Sequence, residues 1–67
     1  MIAVSKLNGQ KVYLNPHLIE SIEEFTDHTK IFFYAEKETY MVVNSARELI
    51  SKIIAYRQSL GVNGQEI

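Results

Sequence analysis

Two turn signals about one strand's length apart, Asn8-Gly9 and Asn15-Pro16, constrain this chain more than any other feature. Gly accepts positive φ without steric cost and Asn tolerates it better than most residues, so Asn8-Gly9 marks a hairpin. Asn15-Pro16 closes the second strand, because Pro has no N–H for a ladder and Asn can bond its own backbone. Residues 2–6 and 10–14 are therefore paired strands, and the apolar pattern chooses the register. A two-residue loop at Asn8-Gly9 would set Lys6 beside Lys11 and Ser5 beside Val12, joining like charges and mixing the faces. A three-residue loop of Leu7, Asn8 and Gly9, with Gly9 in the left-handed region, pairs Val4 with Val12 and Ile2 with Leu14. That register gathers Ile2, Val4, Val12 and Leu14 on one face, and it is the one expected.

Beyond Asn15, the residues Leu18, Ile19, Ile22 and Phe25 follow helical spacing after an Asn cap and a Pro. The segment is nevertheless short, carries β-branched Ile19 and Ile22 and lies between β segments. A tight turn at Pro16 to Leu18 and then a strand from Ile19 to Phe25 are expected. Asp27-His28-Thr29 reads as a turn. Ile31 to Tyr34 and Thr39 to Val43 read as strands from their β-branched and aromatic content. With a two-residue loop at Glu36-Lys37, Ile31, Phe33, Tyr40 and Val42 share one face, and Phe32, Tyr34, Thr39 and Met41 share the other. A single helix covers only one of these apolar faces. The second has to be covered by the sheet curling on itself or by another chain.

Ser45-Ala46-Arg47-Glu48 matches a capping box, in which the Ser45 hydroxyl and the Glu48 carboxylate satisfy reciprocal orphan N–H groups. The helix it starts runs to about Leu60, with Ala46, Leu49, Ile50, Ile53, Ile54 and Leu60 as a wide apolar stripe for the sheet. Gly61 is the expected C-terminal cap. The fold class is thus α+β: a small antiparallel sheet of about five strands, curled or covered, followed by one amphipathic C-terminal helix packed on one face. Residues 1–60 form a single β-rich domain and residues 61–67 a flexible tail.

A chain of 67 residues buries only about 60% of its unfolded surface, so its stability is marginal unless supplemented. With no Cys there is no disulfide, and His17 and His28 alone do not make a zinc site. Oligomerisation is the remaining common supplement. The formal net charge of −1 leaves no footprint for phosphate backbones, so nucleic acid is not expected. The apolar runs fall far below the roughly 20 residues of a membrane span, and Met1-Ile2-Ala3-Val4 lacks a basic n-region, so the chain reads as cytoplasmic.

Catalytic chemistry finds little support. Ser5, Ser21, Ser45, Ser51 and Ser59 sit in no nucleophile motif, no Gly-rich loop cradles a phosphate, and no cofactor is expected. Glu20, Glu23, Glu24 and Asp27 read most simply as a solvated acidic edge that blunts strand pairing. His17 and His28 read as solvated turn residues. Phe32, Tyr34 and Met41, on the face the helix does not cover, form the candidate interaction surface and predict a homo-oligomer.

The order Leu7-Asn8-Gly9, Tyr13-Leu14-Asn15-Pro16 and Leu18-Ile19-Glu20-Ser21-Ile22-Glu23 resembles the N-terminal half of the FlbD family of small flagellar proteins. Tyr40, Val42 and Ser45, followed by an amphipathic helix ending in Tyr56-Arg57, are similar too, so the likeness covers residues 1–58. The chain departs from the family at Ala35-Glu36-Lys37-Glu38, where members carry a shorter turn with Asn-Gly. The resemblance implies a non-enzymatic cytoplasmic protein that supports flagellar motor power or stator function through protein contacts, at the cytoplasmic face of the motor. It carries over no catalytic or ligand-binding residue. The matching Leu7, Asn8, Gly9, Leu14, Asn15, Ile19 and Ile22 read as turn and core. The competing expectation is a small RNA-binding regulator, since a strand-rich chain ending in one helix is also similar to the carbon storage regulator family. Against it, Arg47 and Arg57 are the only arginines, and the acidic cluster repels phosphate.

Overall fold

The computed structural model describes the backbone of residues 1–65 and the side chains of residues 1–60. Among the described residues, strands β1 (Ile2–Ser5), β2 (Lys11–Leu14), β3 (Ile19–Glu24), β4 (Thr29–Phe33) and β5 (Thr39–Val42) precede helix α1 (Ala46–Gln65). A 3₁₀ turn at Pro16–Leu18 joins β2 to β3, as expected. The class is α+β, but the strands divide into two antiparallel sheets, β1-β2 and β3-β4-β5, rather than one.

The first hairpin has the three-residue loop. Lys6 N donates to Gln10 O at 2.8 Å and Gly9 N to Lys6 O at 2.9 Å, with Gly9 at φ 89°. The pairs are Ile2 with Leu14 and Val4 with Val12, so Ile2, Val4 and Leu14 are buried together. The next turn differs from expectation. Phe25 N donates to His28 O at 2.8 Å, which moves the turn to residues 25–28. Thr29 is instead a buried strand residue facing Val42, where a β-branched side chain fits the pleated core face.

The β4-β5 register is also corrected. Ile31 pairs with Tyr40 and Thr29 with Val42, so the connection takes residues 34–38 rather than a two-residue loop at Glu36-Lys37. Tyr34 therefore lies in the connection, and Ala35 adopts a left-handed φ of 62°. A slide of two residues leaves every strand side chain on the face expected for it, because side-chain orientation has period 2.

The two sheets meet along β1 and β5. Lys6 and Val42 form an isolated bridge, and Val43 N donates to Ser5 O at 2.9 Å. This curl sets Ile2, Val4 and Leu14 against Ile31 and Val42, with Leu49 of α1 closing the core. The hairpin and the helix thus cover the inner face of β3-β4-β5 jointly. Helix α1 contacts β1 and β3 and runs through Gln65, past the expected end at Leu60. Gly61 lies inside it, since glycine's freedom permits a left-handed cap without requiring one. Of the flexible tail expected over 61–67, residues 66 and 67 lie outside the described ones.

Candidate interaction surfaces

The residues singled out as turns and caps have structural partners. The Asn8 side chain accepts from Gln10 N at 2.9 Å and that of Asn15 from His17 N at 3.0 Å, while Pro16 is buried. At the helix start, Ser45 Oγ accepts from Glu48 N at 3.1 Å. The reciprocal arm differs from the capping box, because Glu48 Oε2 accepts from Asn44 Nδ2 at 2.7 Å. Asn44 Oδ1 in turn accepts from Ser5 N at 2.8 Å and so ties the helix start to β1.

Glu24 also departs from its expected role on a solvated edge. Its Oε2 accepts from Ala46 N at 3.0 Å, satisfying an orphan donor and placing a negative charge at the positive end of the helix dipole. Sequence reasoning sets Asn44 with Ser45 at the helix start but misses its tie to Ser5, and it misses Glu24 as a cap. The only sequence signals were an Asn before the cap and an acid at the end of β3.

His17 is exposed, as expected of a solvated turn residue, whereas His28 is half-buried. The His17 ring meets Tyr56 edge-on, with centroids 5.6 Å apart. His28 stacks on Phe25 at 4.8 Å, and its Nδ1 lies 2.7 Å from Asp27 Oδ1. The His28 hydrogen bond, helped by the Asp27 backbone amide and the His28 charge, holds the exposed Asp27 carboxyl below its ordinary range. Among the described residues, no group of three His, Asp or Glu side chains could hold a metal.

Apolar surface remains exposed at two places along the β3-β4-β5 sheet. The first is the outer face of β4-β5, where Phe32 and Met41 sit on one side of the sheet, Met41 being 46% exposed. The Lys30 ammonium lies over the Phe32 ring, 5.6 Å from its centre. Tyr34 is 55% exposed, but it stands in the connection beyond the strand, its backbone N donating to Leu18 O at 2.9 Å. The structure thus brings Phe32 and Met41 onto one face and leaves Tyr34 at its end.

The second surface was not foreseen. The apolar stripe of α1 is wider than the sheets can cover: Leu49 is fully buried and Ile53 and Tyr56 half-buried, whereas Ile50 and Ile54 remain 48% and 49% exposed. These two isoleucines face β3 across an open groove of 290 Å³. Pro16, Ile19, Glu20, Ser21 and Ile22 line its other wall, and Arg57 extends the helix wall. Strand β3 ends its sheet, so its outer edge pairs with no strand among the described residues.

A family model described as flagellar and swarming motility proteins, FlbD, matches residues 1–61. Comparison with curated proteins and with solved structures gives no match.

Proposed function

The chain belongs to the FlbD family of flagellar and swarming motility proteins, and from that premise we propose that it is a non-enzymatic protein acting by protein contact to support motor power. The family match over residues 1–61 carries this reading, because it spans the curled β core and most of α1. The geometry supports it. The polar side chains of Asn44, Ser45, Glu48 and Glu24 are engaged in holding the helix start, whereas Met41, Ile50 and Ile54 leave apolar surface exposed. Surfaces of that kind suit association.

Its place is the cytoplasm, at the inner face of the flagellar motor, with a motor or stator component as partner. No helix among the described residues is long and apolar enough to cross a membrane. Phe32, Tyr34 and Met41 form a self-association face in this reading, which leaves the α1-β3 groove open. Co-purification of the tagged protein from motile cells tests the proposal. Recovery of a motor or stator component is expected, and recovery of RNA alone would contradict it.

A further inference from the structure

We propose that the groove between α1 and the free edge of β3 is the docking site for an extended partner segment that alternates apolar and Lys or Arg residues. The inference rests on the contact function above and names the chemistry of the partner. Three observations specify the occupant. First, β3 offers an unpaired row of N–H and C=O groups, which an added strand satisfies and a helix does not. Its six residues carry a bulge between Ile19 and Ser21, which brings Ile19 and Ile22 to the same side, and span somewhat under about 20 Å, enough for a segment of similar length.

Second, the two sides of an added strand meet different chemistry. On the inner side lie Ile19, Ile22, Ile50 and Ile54, so alternate residues of the segment are apolar. On the outer side lies Glu23, which pairs opposite Lys30 across the sheet yet forms no ion pair within 4 Å among the described residues. Glu20 lines the groove and is exposed, while Glu24 is committed to Ala46 N. The residues between the apolar ones are therefore basic. Arg57 on the helix wall disfavours a cation on the inner side and so sets which side of the segment is charged.

Third, the same charges disfavour a second copy. Antiparallel pairing of β3 with itself about its centre would set Glu20 against Glu23 twice, and like charges directly opposite are destabilising. A different, basic chain is the better-matched occupant.

The test is a titration of the labelled full-length protein, followed by backbone amide NMR, with two blocked heptapeptides. One alternates lysine with valine and the other glutamate with valine. The lysine peptide is expected to shift and protect amides of β3 and the Ile50–Ile54 turn. The glutamate peptide is expected to bind about tenfold more weakly, the size of two reversed ion pairs. Glu20→Lys/Glu23→Lys should reverse this preference, and Ile54→Ser, at an exposed position, should weaken both peptides. The proposal fails if the lysine peptide shifts no β3 amide at about 1 mM, if the charge reversal leaves the preference unchanged, or if the shifts map to Phe32 and Met41. It fails also if the groove mediates self-association that Ile54→Ser abolishes. Because the titration needs no flagellum, its failure leaves the motility reading standing, and loss of the motility reading leaves the peptide result intact.

Discussion

Asn44→Ala tests how the curled β core is locked to its helix. Asn44 Oδ1 accepts from the half-buried Ser5 N–H at 2.8 Å, and Asn44 Nδ2 donates to the exposed Glu48 carboxylate at 2.7 Å. Removing the side chain orphans the Ser5 donor, which costs about 1 kcal/mol at partial burial, toward the low end of the range for an unsatisfied group. The exposed bond to Glu48 adds roughly 0.5 kcal/mol. A loss of about 1.5 kcal/mol in a domain this size lowers Tm by roughly 6–12 °C. Asn44→Asp separates the two bonds. It keeps an acceptor for Ser5 N but sets a second carboxylate against Glu48, so at neutral pH it is also destabilised. Raised ionic strength screens that repulsion, so Asn44→Asp should gain on Asn44→Ala as salt is added. Thermal melts followed by circular dichroism at low and high salt read both effects. An Asn44→Ala melt equal to wild type would refute the junction, and parallel salt behaviour of the two variants would refute the part assigned to Glu48.

Ser45→Ala should cost about 1 kcal/mol in a urea melt, through loss of the bond to Glu48 N; an unchanged midpoint removes that cap from the account. Gly9→Val should destabilise by about 1–3 kcal/mol through backbone strain, because φ is 89° and no residue beyond its chain neighbours lies within 4 Å of an added Cβ. Gly9→Asn should be much milder, and equal losses for the two would contradict the assigned strain. Ala35→Gly should stabilise by about 0.5 kcal/mol, the relief of a left-handed alanine less the added freedom of the unfolded chain. Folding lowers the Asp27 pKa, so its contribution is present at neutral pH and is lost as pH falls through the folded-state value. Carboxyl NMR should place its midpoint below the ordinary aspartate value, and His28→Ala should raise it. Light scattering at tens of micromolar should show an oligomer that Phe32→Glu dissociates; a wild-type monomer removes the outer face as a self-association site.

Local chemistry made the first hairpin readable in the sequence. Like charge at Lys6 and Lys11 and the apolar set Ile2, Val4, Val12 and Leu14 reject one register and select the other. The β4-β5 offset was not readable in that way, because alternation reports which face a side chain takes and is blind to a slide of two residues. The helix start was legible at Ser45, whose partner is local, and illegible at Glu24, whose partner Ala46 is brought near only by the tertiary fold. The groove was hidden for a related reason. On a helical wheel Ile50 lies about 100° from Leu49, and composition alone cannot say that the sheets stop short of it. The family resemblance, by contrast, needed only the order of short pieces along residues 1–58, and the family match confirms it over residues 1–61.

Motor torque on tethered cells tests most directly the claim that this motility protein works by surface contact. Deletion of the gene should lower torque while leaving filaments assembled. An Ile54→Glu allele, produced at wild-type level, should reproduce that loss, because the charge enters an exposed site on the groove wall without entering the core. Unchanged torque in the deletion strain would contradict the account at its centre.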